Sequence, residues 1–233
     1  MEELKVTVEN GVKELVIREG KAPDVDVPQK VSLSGIISAP SAFAAKRSQL
    51  WNKDNCHVVV NRLAGKITLI VDETSPRATV VTGTLTLNPK LMHFGINTDK
   101  MWKLGDLAKF VRMNRISFAY PQEHTELLDK LVKFSAKIEA EIKHEDDKRG
   151  NTLHLIQKRV QNEIPLGFEL LEPVWVGFKP TMLHVDILCD LHDGGVMDFW
   201  LESVPLAEEV HTQRDSIIEG ELLCLKDFVI IEQ

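Results

Sequence analysis

The run His184-Val185-Asp186-Ile187-Leu188-Cys189-Asp190-Leu191-His192-Asp193 carries the side chains best suited to chemistry. On a strand, side chains alternate, so His184, Asp186, Asp190 and His192 share one face. Such a row offers ligands to a divalent ion, or an acid/base pair. Spacing argues against one shared ion, because same-face neighbours on a strand lie ~6.6–7 Å apart. The other face, Val185, Ile187, Cys189 and Leu191, is apolar. A strand with one wet face explains the alternation without any metal. The expectation is therefore a solvated strand face, and a metal-dependent enzyme built on it is kept as an alternative.

A second group is basic: Lys103, Lys109, Arg112 and Arg115. The stretch Arg112-Met113-Asn114-Arg115-Ile116-Ser117-Phe118-Ala119-Tyr120 interleaves cations and aromatics, as nucleic-acid binders do when bases stack on rings and phosphates meet Lys or Arg. It lacks the glycine pattern of an RNA-recognition-motif strand. The aromatics Phe43, Trp51, Phe94, Trp102, Phe110, Phe118 and Tyr120 read more simply as core.

Other motifs fail on their own terms. Ala64-Gly65-Lys66-Ile67-Thr68 lacks the upstream glycine of a phosphate loop, has Ile67 where Ser or Thr is required, and leads into a strand pattern. His144-Glu145-Asp146-Asp147-Lys148 puts Lys148 where a zincin has its second histidine. Glu141-Ile142-Lys143 falls within a helical pattern, where its two charged side chains diverge. Neither a GxSxG elbow nor a GxGxxG loop occurs. No residue is assigned a catalytic role and no cofactor is expected. Cys56, Cys189 and Cys224 are too scattered for a disulfide framework or a zinc site and read as small buried hydrophobes.

These residues need elements to hold them. The chain has 233 residues, 43% of them hydrophobic, enough for a substantial core, and 27% charged, too few for disorder. Asn10-Gly11 between alternating runs predicts a hairpin over 4–18, followed by a Pro/Asp connector up to residue 29. Strands are predicted at 31–38, 56–61, 66–72, 79–87, 152–161, 168–176, 184–191, 196–203 and 228–231. Helices are predicted at 39–51, 106–113, 123–144 and 205–218. Along 123–144, Leu127, Leu128, Leu131, Ile138 and Ile142 form a core-facing stripe. Asp193-Gly194-Gly195 predicts a hairpin joining two strands, so that 166–176, 182–192 and 196–203 become antiparallel neighbours. The fold class is α+β, mainly antiparallel sheet with helices packed on one face. Residues 1–29 form the hairpin and connector, and 30–233 a single domain that divides at most into a basic lobe, 30–122, and an acidic one, 123–233.

Charge follows that division. Residues 42–122 hold 12 Lys/Arg against 5 Asp/Glu, and residues 161–233 hold 3 against 15, within an overall net charge of −7. Either one region is an interaction surface, or the two face each other within the fold or between subunits. No run reaches the ~18 apolar residues of a membrane span. The start, MEELKVTVENG, lacks the pattern of a secretory signal, which predicts a cytoplasmic protein without a membrane partner.

Several segments in order also resemble one family. They are Ser34-Gly35-Ile36-Ile37 with Pro40-Ser41-Ala42-Phe43, the strand pair ending Val71-Asp72, and Trp102 with Leu104 and Leu107-Ala108-Lys109-Phe110. Pro165-Leu166-Gly167-Phe168-Glu169-Leu170, Pro173-Val174-Trp175-Val176-Gly177 and Asp198-Phe199-Trp200-Leu201-Glu202 complete the order. The order is similar to the YfdQ-like family of phage and prophage proteins, a domain of unknown function, over about residues 30–233. The chain departs from it in a short N-terminus and in lacking an acidic helix start beside Phe110. The resemblance implies an accessory protein made inside a bacterial host and supplies no catalytic residues. The expected activity is non-enzymatic binding, in phage DNA metabolism or against a host factor, with an unknown protein or a nucleic acid as partner. A self-assembling structural protein, a homo-oligomer, is the rival.

Overall fold

A computed structural model describes residues 31–47, 49, 51–75, 77–144, 167–192 and 196–233. The hairpin expected at 4–18, the strand expected at 152–161 and the turn at 193–195 lie outside the described residues. Among the described residues are five helices and nine strands in two mostly antiparallel sheets, an α+β fold.

The first sheet has the order β1 (Val31–Ile36), β4 (Thr79–Thr84), β3 (Lys66–Val71), β2 (Cys56–Asn61) and β9 (Val229–Glu232). β2, β3 and β4 form the expected meander, while β1 joins β4 and β9 joins β2 in parallel. Period-2 alternation sets the faces: Cys56, Val58 and Val60 are buried and His57, Val59 and Asn61 turn outward. The β2–β3 turn holds Gly65 at φ 59°, and the Asn61 Oδ1 accepts the Ala64 N–H at 2.8 Å. Helix α1 (Ala39–Arg47) packs on β4. It ends short of the predicted Trp51, whose ring instead stacks on Phe43 at 5.3 Å.

The second sheet has the order β5 (Trp102–Lys103), β8 (Val196–Glu202), β7 (Thr181–His192) and β6 (Gly167–Glu172). The three long strands are the antiparallel neighbours that the alternation predicts. Phe168, Leu170, Leu183, Val185, Phe199 and Leu201 form its buried face. The buried stripes of α3 (Leu104–Met113) and α4 (Pro121–His144) belong to the same core. On α4 the stripe is Leu127, Leu131 and Phe134, while the side chains of Ile138 and Ile142 lie outside the described set.

Two elements were not legible: β5, only two residues long, and α2 (Pro89–Phe94). The latter is one short turn-and-a-half capped by Asn88 and held by burial of Leu91 and Phe94. Helix α5 (Val204–Cys224) runs past its predicted end, because burial of Ile218 and Leu222 outweighs the ~1 kcal/mol helix penalty of Gly220.

The predicted strands 79–87 and 168–176 overrun for a shared reason. β4 and β6 stop at Thr84 and Glu172, and their tails meet between the sheets, where Leu87 bridges Trp175. The Asn88 N–H donates to the Val174 carbonyl and the Val176 N–H to that of Thr86, both at 2.9 Å. Beside them lies the buried Glu172 carboxylate. It accepts from Ser117 Oγ at 2.6 Å, Lys90 Nζ at 2.9 Å and Asn88 Nδ2 at 3.2 Å. One contiguous core spans both sheets.

Candidate nucleic-acid interface

Helix α3 places the basic group. Leu107, Ala108 and Val111 are its buried stripe, which leaves Lys109, Arg112 and Met113 exposed at helical spacing. Asp106 occupies the first turn, where a carboxylate suits the helix dipole. Arg115 opens the 3-10 turn Arg115–Ser117 that follows. Lys103 and Lys109 line one cleft of about 490 Å³, with Lys100, Trp102, Phe110 and Met113 among its walls. Arg112 and Arg115 are exposed on the same helix and its continuation.

The four predicted cations are not equivalent. Lys103 Nζ is 2.5 Å from Asp198 Oδ1, across the β5–β8 pair. Lys109, Arg112 and Arg115 enter no ion pair among the described residues. Beside them Met113 is 76% and Ile116 85% exposed, an apolar component that the sequence reading did not stress.

Of the rings in this region, only Tyr120 is open to stacking. Trp102 is buried, and Lys100 Nζ sits 3.7 Å from its ring centroid and 5.4 Å from that of Phe110. Lys100 also donates to the His93 carbonyl at 2.7 Å, closing the C-terminus of α2. Burial holds the Lys100 ammonium below the ordinary lysine range. Phe94 and Phe118 are core, as the sequence predicts, and Tyr120 is the exposed exception.

Much of the charge segregation is spent inside the fold. Lys53 pairs with Asp227 at 2.6 Å, Arg62 with Glu219 and Glu232 at 2.7 Å each, and Lys90 with Glu172 at 2.9 Å. With Lys103–Asp198, four cations of the basic region meet five carboxylates of the acidic third. The hydrogen bonds it donates to Glu232 and Glu219 hold Arg62 above the ordinary guanidinium range. The cations left over lie on several elements: Lys46 and Arg47 on α1, Lys66 on β3 and Arg77 in a turn are also exposed and in no ion pair among the described residues, while Lys109, Arg112 and Arg115 form the set on α3 and its continuation.

The His/Asp row lies on β7, with His184 and Asp186 facing away from the core. His184 Nδ1 is 2.8 Å from Glu169 Oε1, and its Nε2 is 3.3 Å from Asp186 Oδ1. The hydrogen bond to Glu169 is the main reason the imidazole pKa is raised; the Glu169 and Asp186 charges add to it, and partial burial opposes it. Asp190 lies further along, opposite Asp198, and the His192 side chain is outside the described set. Among the described residues no group of three or more His, Cys, Asp or Glu is arranged to hold a metal ion. Glu169 was missed because only strand register brings it opposite His184.

Of the cysteines, Cys56 is buried, Cys189 partly so and Cys224 exposed, and all three are free; the buried-hydrophobe reading fails for Cys224. Among the described residues, no helix is long and apolar enough to cross a membrane. No protein-family model matches the chain, and no curated protein or solved structure matches it either.

Proposed function

We propose that this chain is a phage- or prophage-encoded accessory protein that acts by binding rather than catalysis, and that its α3 surface takes nucleic acid. The phage setting rests on the resemblance of segments described above. The nucleic-acid reading rests on one observation: Lys109, Arg112 and Arg115 are exposed, outside any ion pair among the described residues, and gathered on one helix and the turn after it, whereas Lys53, Arg62, Lys90 and Lys103 are paired with carboxylates. With Trp102, Phe110 and Phe118 buried or capped and Tyr120 the one exposed ring of the stretch, recognition runs mainly through phosphates and is largely indifferent to sequence.

The test is fluorescence anisotropy on single- and double-stranded DNA across a salt series. Ala at Lys109, Arg112 or Arg115 is expected to weaken binding uniformly and to flatten the log–log salt slope by about one for each phosphate no longer neutralised. Lys103→Ala is expected to do less, because Asp198 already engages that ammonium. Absence of binding at low salt, or a triple variant that binds like the parent, rejects the reading.

A protein partner is the second reading, favoured by the exposure of Met113 and Ile116 beside the cations. Under it, Ile116→Asp abolishes co-purification of one stoichiometric host protein, and DNA affinity is absent from the start.

A further inference from the structure

We infer that strand β9 is a self-pairing edge through which two copies of this chain join their first sheets. Among the described residues, β9 pairs only with β2, and its other side is open. The Gln233 N–H donates to the Val60 carbonyl at 2.8 Å. By strand alternation Val229 and Ile231 turn their backbone groups toward β2 as well. Ile230 and Glu232 therefore direct an N–H and a C=O each to the open side.

Unpaired edges of this kind template the addition of another strand, and proteins block them with lysine, proline, bulges or a covering element. The stretch Val229-Ile230-Ile231-Glu232 has neither lysine nor proline, and Val229 and Ile231 are 65% and 46% exposed. Its single charge is Glu232, held by Arg62 through two hydrogen bonds, Nε to Oε2 at 3.0 Å and Nη2 to Oε1 at 2.7 Å. The carboxylate that would repel an identical edge is thus neutralised in each copy.

The positions suit a second copy because the pattern is its own complement. An antiparallel partner with its two-fold axis at Ile231 sets Ile230 opposite the partner's Glu232, and the reverse. Those are the residues whose backbone groups point outward, so four N–H···O bonds form. Ile231 then meets the partner's Ile231 on the outer face. Within each copy the register already aligns Ile231 with Val59, Thr68 and Thr82. The pairing makes that row continuous across a ten-stranded sheet.

The experiment is light scattering coupled to size exclusion on the full chain, from micromolar to hundreds of micromolar loading. The parent is expected at twice the 26.3 kDa chain mass. Ile230→Pro removes an outward N–H and leaves the β2 ladder intact, so it is expected to give a monomer with unchanged far-UV circular dichroism. Ile231→Lys sets like charges at the two-fold axis and is expected to do the same, which keeps the test valid should the proline variant misfold. A parent that stays monomeric throughout, as it would if another part of the chain covered this edge, overturns the inference. So does a dimer that survives both substitutions.

Discussion

His184 is half exposed between Glu169 and Asp186, and its imidazole pKa is raised, first by the hydrogen bond to Glu169. Protonation therefore favours the folded state. The contribution is complete below the unfolded histidine pKa of about 6.5 and fades as pH rises through the higher folded value. Imidazole titration by NMR is expected to show His184 titrating above an ordinary histidine, and Glu169→Gln is expected to bring it back down. An unshifted midpoint in the parent would contradict the pairing. That His184, Asp186 and Asp190 share one strand face was legible because alternation is local. The real partner of His184, Glu169, comes from another strand, and no spacing along β7 could reveal it.

Among the elements, two glycines make opposite predictions. A Cβ on Gly83 would stand 2.4 Å from the Ile37 carbonyl and 2.7 Å from Pro40 Cδ, where α1 begins to pack on β4. Backbone atoms cannot yield as a flexible side chain can, so Gly83→Ala is expected to destabilise by about 1–3 kcal/mol. Gly220 is exposed inside α5, and a Cβ there meets nothing within 4 Å. Gly220→Ala is expected to stabilise by about 0.5–1 kcal/mol, through helix propensity and a less flexible unfolded chain. Urea denaturation of both variants checks the two signs. The contrast also bears on the helix boundary: the predicted end at 218 falls just before Gly220, yet burial of Ile218 and Leu222 on either side of it carries the helix on to Cys224.

At the scale of the molecule, the junction between the sheets depends on Glu172. Its removal leaves the Ser117 hydroxyl and an Asn88 amide N–H short of an acceptor in a buried place, while the half-exposed Lys90 returns to water. Glu172→Ala is expected to cost about 2–3 kcal/mol. Glu172→Gln, which keeps an acceptor oxygen, is expected to cost less. Because one core spans both sheets, the parent is expected to unfold in a single cooperative transition by fluorescence and circular dichroism alike. Separate transitions for the two probes would show independent lobes.

The sequence alone determined most of the long elements and their faces, because hydrophobic period and turn chemistry act over a few residues. Alternation in 56–61, 66–71 and 184–190, and the stripe beginning at Leu127 and Leu131, settle which side chains turn inward. Alternation with a turn signal also made β6, β7 and β8 neighbours. Tertiary structure alone decided what depends on contacts between distant residues. It joined β1 and β9 in parallel to the edges of the meander and formed the short α2 over core that only the folded chain provides. It also decided the meaning of the charge pattern. Composition shows a basic segment and an acidic one. Only the folded chain brings Lys53, Arg62, Lys90 and Lys103 against acidic residues more than eighty positions away and leaves Lys109, Arg112 and Arg115 facing solvent. Electrostatic attraction acts through space, and the spacing of residues along a chain does not record it.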